Sequence, residues 1–160
     1  MSQLAAGAAA RVALSAPADP NRVERVWLHA LAEVPLFEGL SKRHLRQVAK
    51  LARIRRFAPG SAMVRAGDSG RSFYVLLDGT ARVSRPGGRP RRLGVGDYFG
   101  EMALLDGAPR SADVSAEGEV LALTIDRPGF AKLLRAEPRL AETLLRTLAA
   151  RLRAAERPNA

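Results

Sequence analysis

The chain has 160 residues, enough for one domain that buries a core without staples. It has no cysteine, which excludes disulfides, thiolate metal sites and a cysteine nucleophile. The formal net charge is +10, carried far more by arginine than by lysine. That balance points to anionic ligands, nucleic acid or an anionic membrane, or to nothing beyond solvated helix faces and the base composition of the source genome.

No apolar run in the sequence approaches the ~20 residues that span a bilayer. Residues 1–20 are low in complexity, with Ala, Gly, Pro17 and Pro20, and read as a flexible tail. Met1 to Ala10 lack the basic leader of a secretory signal, so the cytoplasm is the expected compartment. A helix is expected from Asn21, after Asp19-Pro20, with Val23, Val26, Trp27, Ala30, Leu31 and Val34 on one apolar face and Trp27 as a packing anchor. Pro35 ends it. The segment 36–41 reads as a turn, with Ser41 capping a second helix that turns Leu45, Val48, Ala49 and Ala52 inward.

From Arg53 to Asp126 the period changes to alternation broken by glycine every several residues. Strands are expected at 53–57, 62–65, 73–78, 80–85, 91–95, 112–116 and 119–126. Turns are expected at Pro59-Gly60, Gly67-Asp68, Asp78-Gly79, Pro86-Gly87-Gly88 and Gly96-Asp97. Many short strands with frequent turns argue for a jelly-roll-like sandwich or barrel. Asp126 caps a helix with Pro128 in its first turn and Phe130, Leu133 and Leu134 on its apolar face. Pro138 opens a last helix carrying Leu140, Leu144, Leu145, Leu148 and Leu152, which ends near Arg157-Pro158. The fold class is therefore α+β, mainly β. It divides into N-terminal helices (21–56), a β-roll (57–127) and C-terminal helices (128–157).

The stretch that carries chemistry is 99–112, Phe-Gly-Glu-Met-Ala-Leu-Leu-Asp-Gly-Ala-Pro-Arg-Ser-Ala. Gly100 lets backbone approach a ligand closely. A turn of helix after it offers free N–H groups, which suit a phosphate. Arg110 can close on the same anion with a charge-assisted bond. Glu101 makes sense beside a phosphate only if it accepts hydrogen bonds from another part of the ligand, such as sugar hydroxyls. Small residues at Gly100 and Ala103 leave room, and Met102 with these two would contribute backbone. Ser111 either donates to the phosphate or caps a strand start. Ala81, Val83 and Met102 are either apolar contacts to the ligand or ordinary core. The two histidines, His29 and His44, fall in the N-terminal helices, so the β region holds neither a histidine metal set nor a Ser-His-Asp triad. No enzyme, metal or cofactor is expected.

Gly100-Glu101, Ala103, Leu104 and Arg110-Ser111-Ala112 resemble the phosphate-binding cassette of cyclic nucleotide-binding domains. These domains occur in catabolite-activator-type regulators, cyclic-nucleotide-dependent kinases and gated channels. A second signature of that family lies in Met63-Val64, Gly67-Asp68, Gly70, Phe73-Tyr74-Val75-Leu76 and Gly79. The resemblance spans roughly residues 30–155. It implies a stand-alone sensor of a 3′,5′-cyclic nucleotide, cyclic AMP favoured over cyclic GMP. The implied site is Gly100, Glu101, Met102, Ala103, Arg110, Ser111, Ala112 and Val83, with Glu101 accepting from the ribose 2′-hydroxyl and Arg110 holding the phosphate.

The resemblance further implies C-terminal helices that repack on binding and present a surface to an effector protein or to a second copy along Leu140, Leu144, Leu148 and Leu152. The sequence departs from the family in two ways. Phe130 is the only aromatic after Arg110, so no aromatic lid covers the base; Arg151 or Arg153 could cap it, or lie on a solvated helix face. No recognition helix, kinase or channel segment follows, so neither sequence-specific DNA binding nor membrane attachment is expected. The alternative is a protein-interaction module with a non-binding pocket.

Overall fold

The computed structural model describes residues 20–157 together with Gly7, Ala8 and Arg11. The expected tail therefore lies mostly outside the described residues. Within it, Arg11 pairs with Asp78 at 2.5 Å and with Glu119 at 3.2 Å.

Helix α1 (Pro20–Ala32) packs Ala30 and Leu31 into the core and half-buries Trp27. Val26, on the flank of the apolar arc, is exposed instead, and the Val23 side chain lies outside the described residues. The helix stops before Pro35, which opens a 3-10 turn (Pro35–Phe37) rather than merely ending what precedes it. Ser41 caps α2 (Lys42–Leu51), accepting from the His44 amide at 3.3 Å.

Six antiparallel strands follow: β1 (Ala52–Phe57), β2 (Ala62–Val64), β3 (Ser72–Ser84), β4 (Arg91–Leu93), β5 (Tyr98–Phe99) and β6 (Asp113–Asp126). Their order is β1-β6-β3-β4, with β2 also on β6 and β5 on β3. The helical block thus gives way to strand at Ala52, a few residues earlier than the expected boundary.

One expected turn proves to be a bend inside a long strand. Asp78-Gly79 lies within β3, where the register against β6 slips between Leu76 and Thr80. Gly79 has φ +87°, and a Cβ there would sit 2.3 Å from the Glu119 carbonyl oxygen. It serves a β-bulge and a close strand approach, not a chain reversal. Strand β5 was missed because two residues offer no period to read.

Both faces of β3 and β6 are buried, which explains their near-continuous apolar runs. Phe73, Val75 and Leu77 with Leu121, Leu123 and Ile125 pack against the helices. Tyr74 and Leu76 with Val120 and Ala122 fill the roll interior. Asp126 caps α4 (Arg127–Ala136), accepting from Gly129 N at 2.8 Å, and Phe130 stacks on Phe73 at 4.9 Å. The last helix, α5 (Pro138–Glu156), follows at once. His44 Nδ1 meets the buried Glu137 carboxylate at the α4–α5 joint at 2.7 Å, tying the N-terminal helices to the C-terminal ones. Leu140 and Leu144 are buried in the chain's own core, whereas Leu145 and Leu152 are exposed. Half of the expected seam along α5 is consumed within the fold.

Candidate functional site

A short helix, α3 (Glu101–Asp106), is inserted between β5 and β6, bounded by two glycines in the left-handed region. Gly100 has φ +94°, and a Cβ there would stand 2.6 Å from Arg110 Nη1 and 2.9 Å from the Ser72 carbonyl oxygen. Glycine is therefore required here twice over, by backbone angle and by space. Gly107 closes the helix with its amide on the Ala103 carbonyl.

Arg110 lies in the chain after that helix. Its backbone is locked to the 67–68 turn, with Gly67 N donating to its carbonyl at 2.9 Å and its own N–H donating to Asp68 O at 2.8 Å. Its side chain is buried. Nη1 donates to Gly100 O at 3.0 Å and Nη2 to Ser72 O at 2.6 Å, with the Tyr74 ring 5.9 Å from the guanidinium carbon. Two carbonyls thus fix the fork while leaving further N–H groups for a ligand. Burial pulls the guanidinium below its ordinary pKa; the neighbouring Tyr74 and the Glu101 carboxylate oppose that, and nearby Arg127 adds to it. An anion against Arg110 would relieve the cost of burying that charge.

Glu101 is 2% exposed, and its Oε1 accepts from Arg151 Nη1 at 2.7 Å. The arginine that reaches this carboxylate is Arg151 of α5, not the sequence-adjacent Arg110. Of the two readings of Arg151, the solvated face fails, because its guanidinium is engaged here and lies 5.9 Å from the Tyr98 ring centroid. The Tyr98 hydroxyl is buried without a hydrogen-bond partner among the described residues.

A cavity of about 140 Å³ brings the expected residues together: Gly100, Glu101, Met102, Ala103, Arg110, Ser111, Ala112 and Val83 all line it. Ala81 does not; it is wholly buried in the roll interior. Sequence reasoning gave no role to Gly70, whose Cβ would meet that of Ala103 at 2.5 Å, nor to Ser72 and Tyr98. Gly70 stands in the second family signature without a role of its own, and no local signal marks Ser72 or Tyr98. Ser72 and Arg110 are 38 positions apart, and Glu101 and Arg151 are 50 apart.

The family profile described as "Cyclic nucleotide-binding domain" matches residues 54–137. The chain belongs to the cyclic nucleotide-binding domain family. It is 37% identical over 123 residues to a cyclic nucleotide-gated potassium channel of Rhizobium etli, covering 77% of this chain and 34% of the channel. Among solved structures it resembles the Thermus thermophilus catabolite activator protein, with TM-score 0.70 and 35% identity over 76% of this chain and 60% of that one. It also resembles the regulatory domain of Toxoplasma gondii protein kinase A crystallised with cyclic AMP, with TM-score 0.72 and 27% identity over 81% of this chain and 51% of that one. The chain spans between about a tenth and a third of the length of the curated relatives it matches. The profile match ends at residue 137, before α5, and Arg151 lies beyond the matched span. No described helix is long and apolar enough to cross a membrane.

Proposed function

We infer that this domain binds a 3′,5′-cyclic nucleotide as a non-enzymatic regulatory module in the cytoplasm. The observation that carries the reading is Arg110, a buried guanidinium held by two carbonyls on the wall of the cavity that Glu101 also lines. The phosphate docks on Arg110 and the backbone N–H groups at 101–103, with Ser111 and Ala112 beside it. Glu101 accepts from the ribose 2′-hydroxyl, and Val83 and Met102 give apolar contact to the base. Cyclic AMP is favoured over cyclic GMP, in keeping with the Toxoplasma regulatory domain crystallised with it.

The output is a shift of α5. That helix is tied to the cassette through Arg151 and Glu101, and a cleft of about 500 Å³ lies where Thr143 and Thr147 approach β4 and β5. A ligand hydroxyl on Glu101 competes with Arg151 for the same carboxylate, which supplies the differential affinity any switch needs. The changed surface of α5, with Leu145 and Leu152 exposed, would meet an effector protein or a second copy of the chain. The Arg151–Glu101 pair also favours a second reading, an interaction module whose pocket is closed to nucleotide.

Calorimetric titration with cyclic AMP and cyclic GMP decides between them, on protein stripped of copurified nucleotide by unfolding and refolding. Saturable one-site binding that disappears in Arg110→Ala is expected. Well-folded wild type that binds neither nucleotide would overturn the reading in favour of the interaction module.

A further inference from the structure

Beside the nucleotide cavity lies a hollow of about 290 Å³, lined by Val83, Arg85, Arg89, Arg91, Arg151 and Ala154. Val83, Arg85, Arg91 and Arg151 line the first cavity as well, so the two share a wall. Arg85, Arg89 and Arg91 come from the β3–β4 hairpin, and Arg151 comes from α5. No carboxylate lines the hollow. Arg151 is matched by Glu101, but Arg85, Arg89 and Arg91 form no ion pair among the described residues. Their neighbour Arg92 does pair, with Glu117 at 3.0 Å. The three unpaired arginines all line the hollow.

Three unmatched guanidinium groups around one hollow repel one another, and only solvent and salt screen them. A cyclic mononucleotide carries one negative charge, which Arg110 already meets in the first cavity. The hollow therefore suits a second phosphate on the same ligand. Arginine is apt for this, because its fork binds phosphate oxygens bidentately and its plane stacks on a base. Arg89 flanks the turn built on Pro86-Gly87-Gly88, which lets it adjust to a bulky group.

We propose that this site takes a cyclic dinucleotide, one phosphodiester on Arg110 and the second, with its base, against Arg85, Arg89 and Arg91. The proposal rests on the Arg110 cavity being a nucleotide site. It adds a ligand that touches the hairpin and α5 together, clamping the two sides of the hollow.

The test titrates stripped protein with cyclic di-AMP, cyclic di-GMP, cyclic AMP and cyclic GMP at two salt concentrations. The proteins are wild type, Arg110→Ala, and Arg89→Ser, which alters the arginine that lines the hollow but not the nucleotide cavity, with folding checked by circular dichroism. The expected result is one-to-one binding of a cyclic dinucleotide about tenfold or more tighter than either mononucleotide, worth about 1.4 kcal/mol. Arg89→Ser is expected to lose that advantage while keeping its mononucleotide affinity, and Arg110→Ala to lose both. Mononucleotide binding without tighter dinucleotide binding overturns this proposal and leaves the proposed function standing. An equal, salt-dependent loss for all four ligands in Arg89→Ser also overturns it, making that arginine part of a general steering field. Absence of binding by any of the four sinks both readings together.

Discussion

Arg151 Nη1 donates to Glu101 Oε1 at 2.7 Å, joining the last helix of the fold to the carboxylate that opens the cassette. The two residues lie 50 positions apart, and Glu101 is nearly sealed from solvent. A buried carboxylate needs a partner, because leaving it unpaired costs far more than the net worth of the pair. Ligand chemistry at Glu101 and the position of α5 are therefore one problem.

Arg151→Ala should destabilise the domain by about 1–3 kcal/mol, since Glu101 loses its cation while Arg151 itself is only partly buried. Glu101→Gln should cost less, because the amide oxygen still accepts. A double-mutant cycle on chemical denaturation checks this. A coupling below about 0.5 kcal/mol would show the pair to be a screened contact without structural weight.

The same carboxylate predicts sugar discrimination. Wild type should bind 2′-deoxy cyclic AMP about tenfold more weakly than cyclic AMP, because the charge-assisted bond from the 2′-hydroxyl to Glu101 is lost. Competition calorimetry measures this. Equal affinity for the two sugars would remove Glu101 from the ligand.

Arg110→Lys keeps the charge but cannot reach both Gly100 O and Ser72 O with a rigid fork. Nucleotide affinity should fall by about tenfold or more, and one backbone carbonyl should lose its donor at a stability cost of about 1 kcal/mol. Titration and thermal melts of the same preparation separate the two effects.

Glycine substitutions around the cassette should divide sharply. Gly100→Ala drives a methyl into Arg110 and Ser72 while holding a positive φ, and should abolish binding and cost about 1–3 kcal/mol. Gly107→Ala meets nothing within 4 Å and carries backbone strain alone, so it should cost about 1 kcal/mol with binding intact. Paired melts and titrations of the two variants test this contrast.

Along α5, Leu140→Ala should cost about 2–5 kcal/mol as a core truncation, whereas Leu152→Ala should change stability by less than about 0.5 kcal/mol. If sedimentation shows a dimer that Leu152→Ala dissociates, the exposed leucines form the interface. A monomer for both proteins removes the second-copy output.

Much of this was legible beforehand because its signals are local. The caps at Ser41 and Asp126, the glycine-bounded cassette and the alternation of β1 each depend on neighbours within a few residues. Strand continuity was harder to read. Asp78-Gly79 looks like a turn to any local rule, and only the backbone of Glu119 on the opposing strand shows why glycine stands there.

By itself, the sequence determined the class of fold and singled out Arg110 as the arginine of the proposed anion site, because periodicity, glycine placement and the 99–112 pattern act over short spans. The tertiary structure decided what holds that arginine and what reaches Glu101. Ser72 O, Gly100 O and Arg151 are brought there by strand pairing and helix packing. It also decided that Leu140 and Leu144 are core while Leu145 and Leu152 are surface, since one helix carries more apolar positions than one neighbouring face can bury.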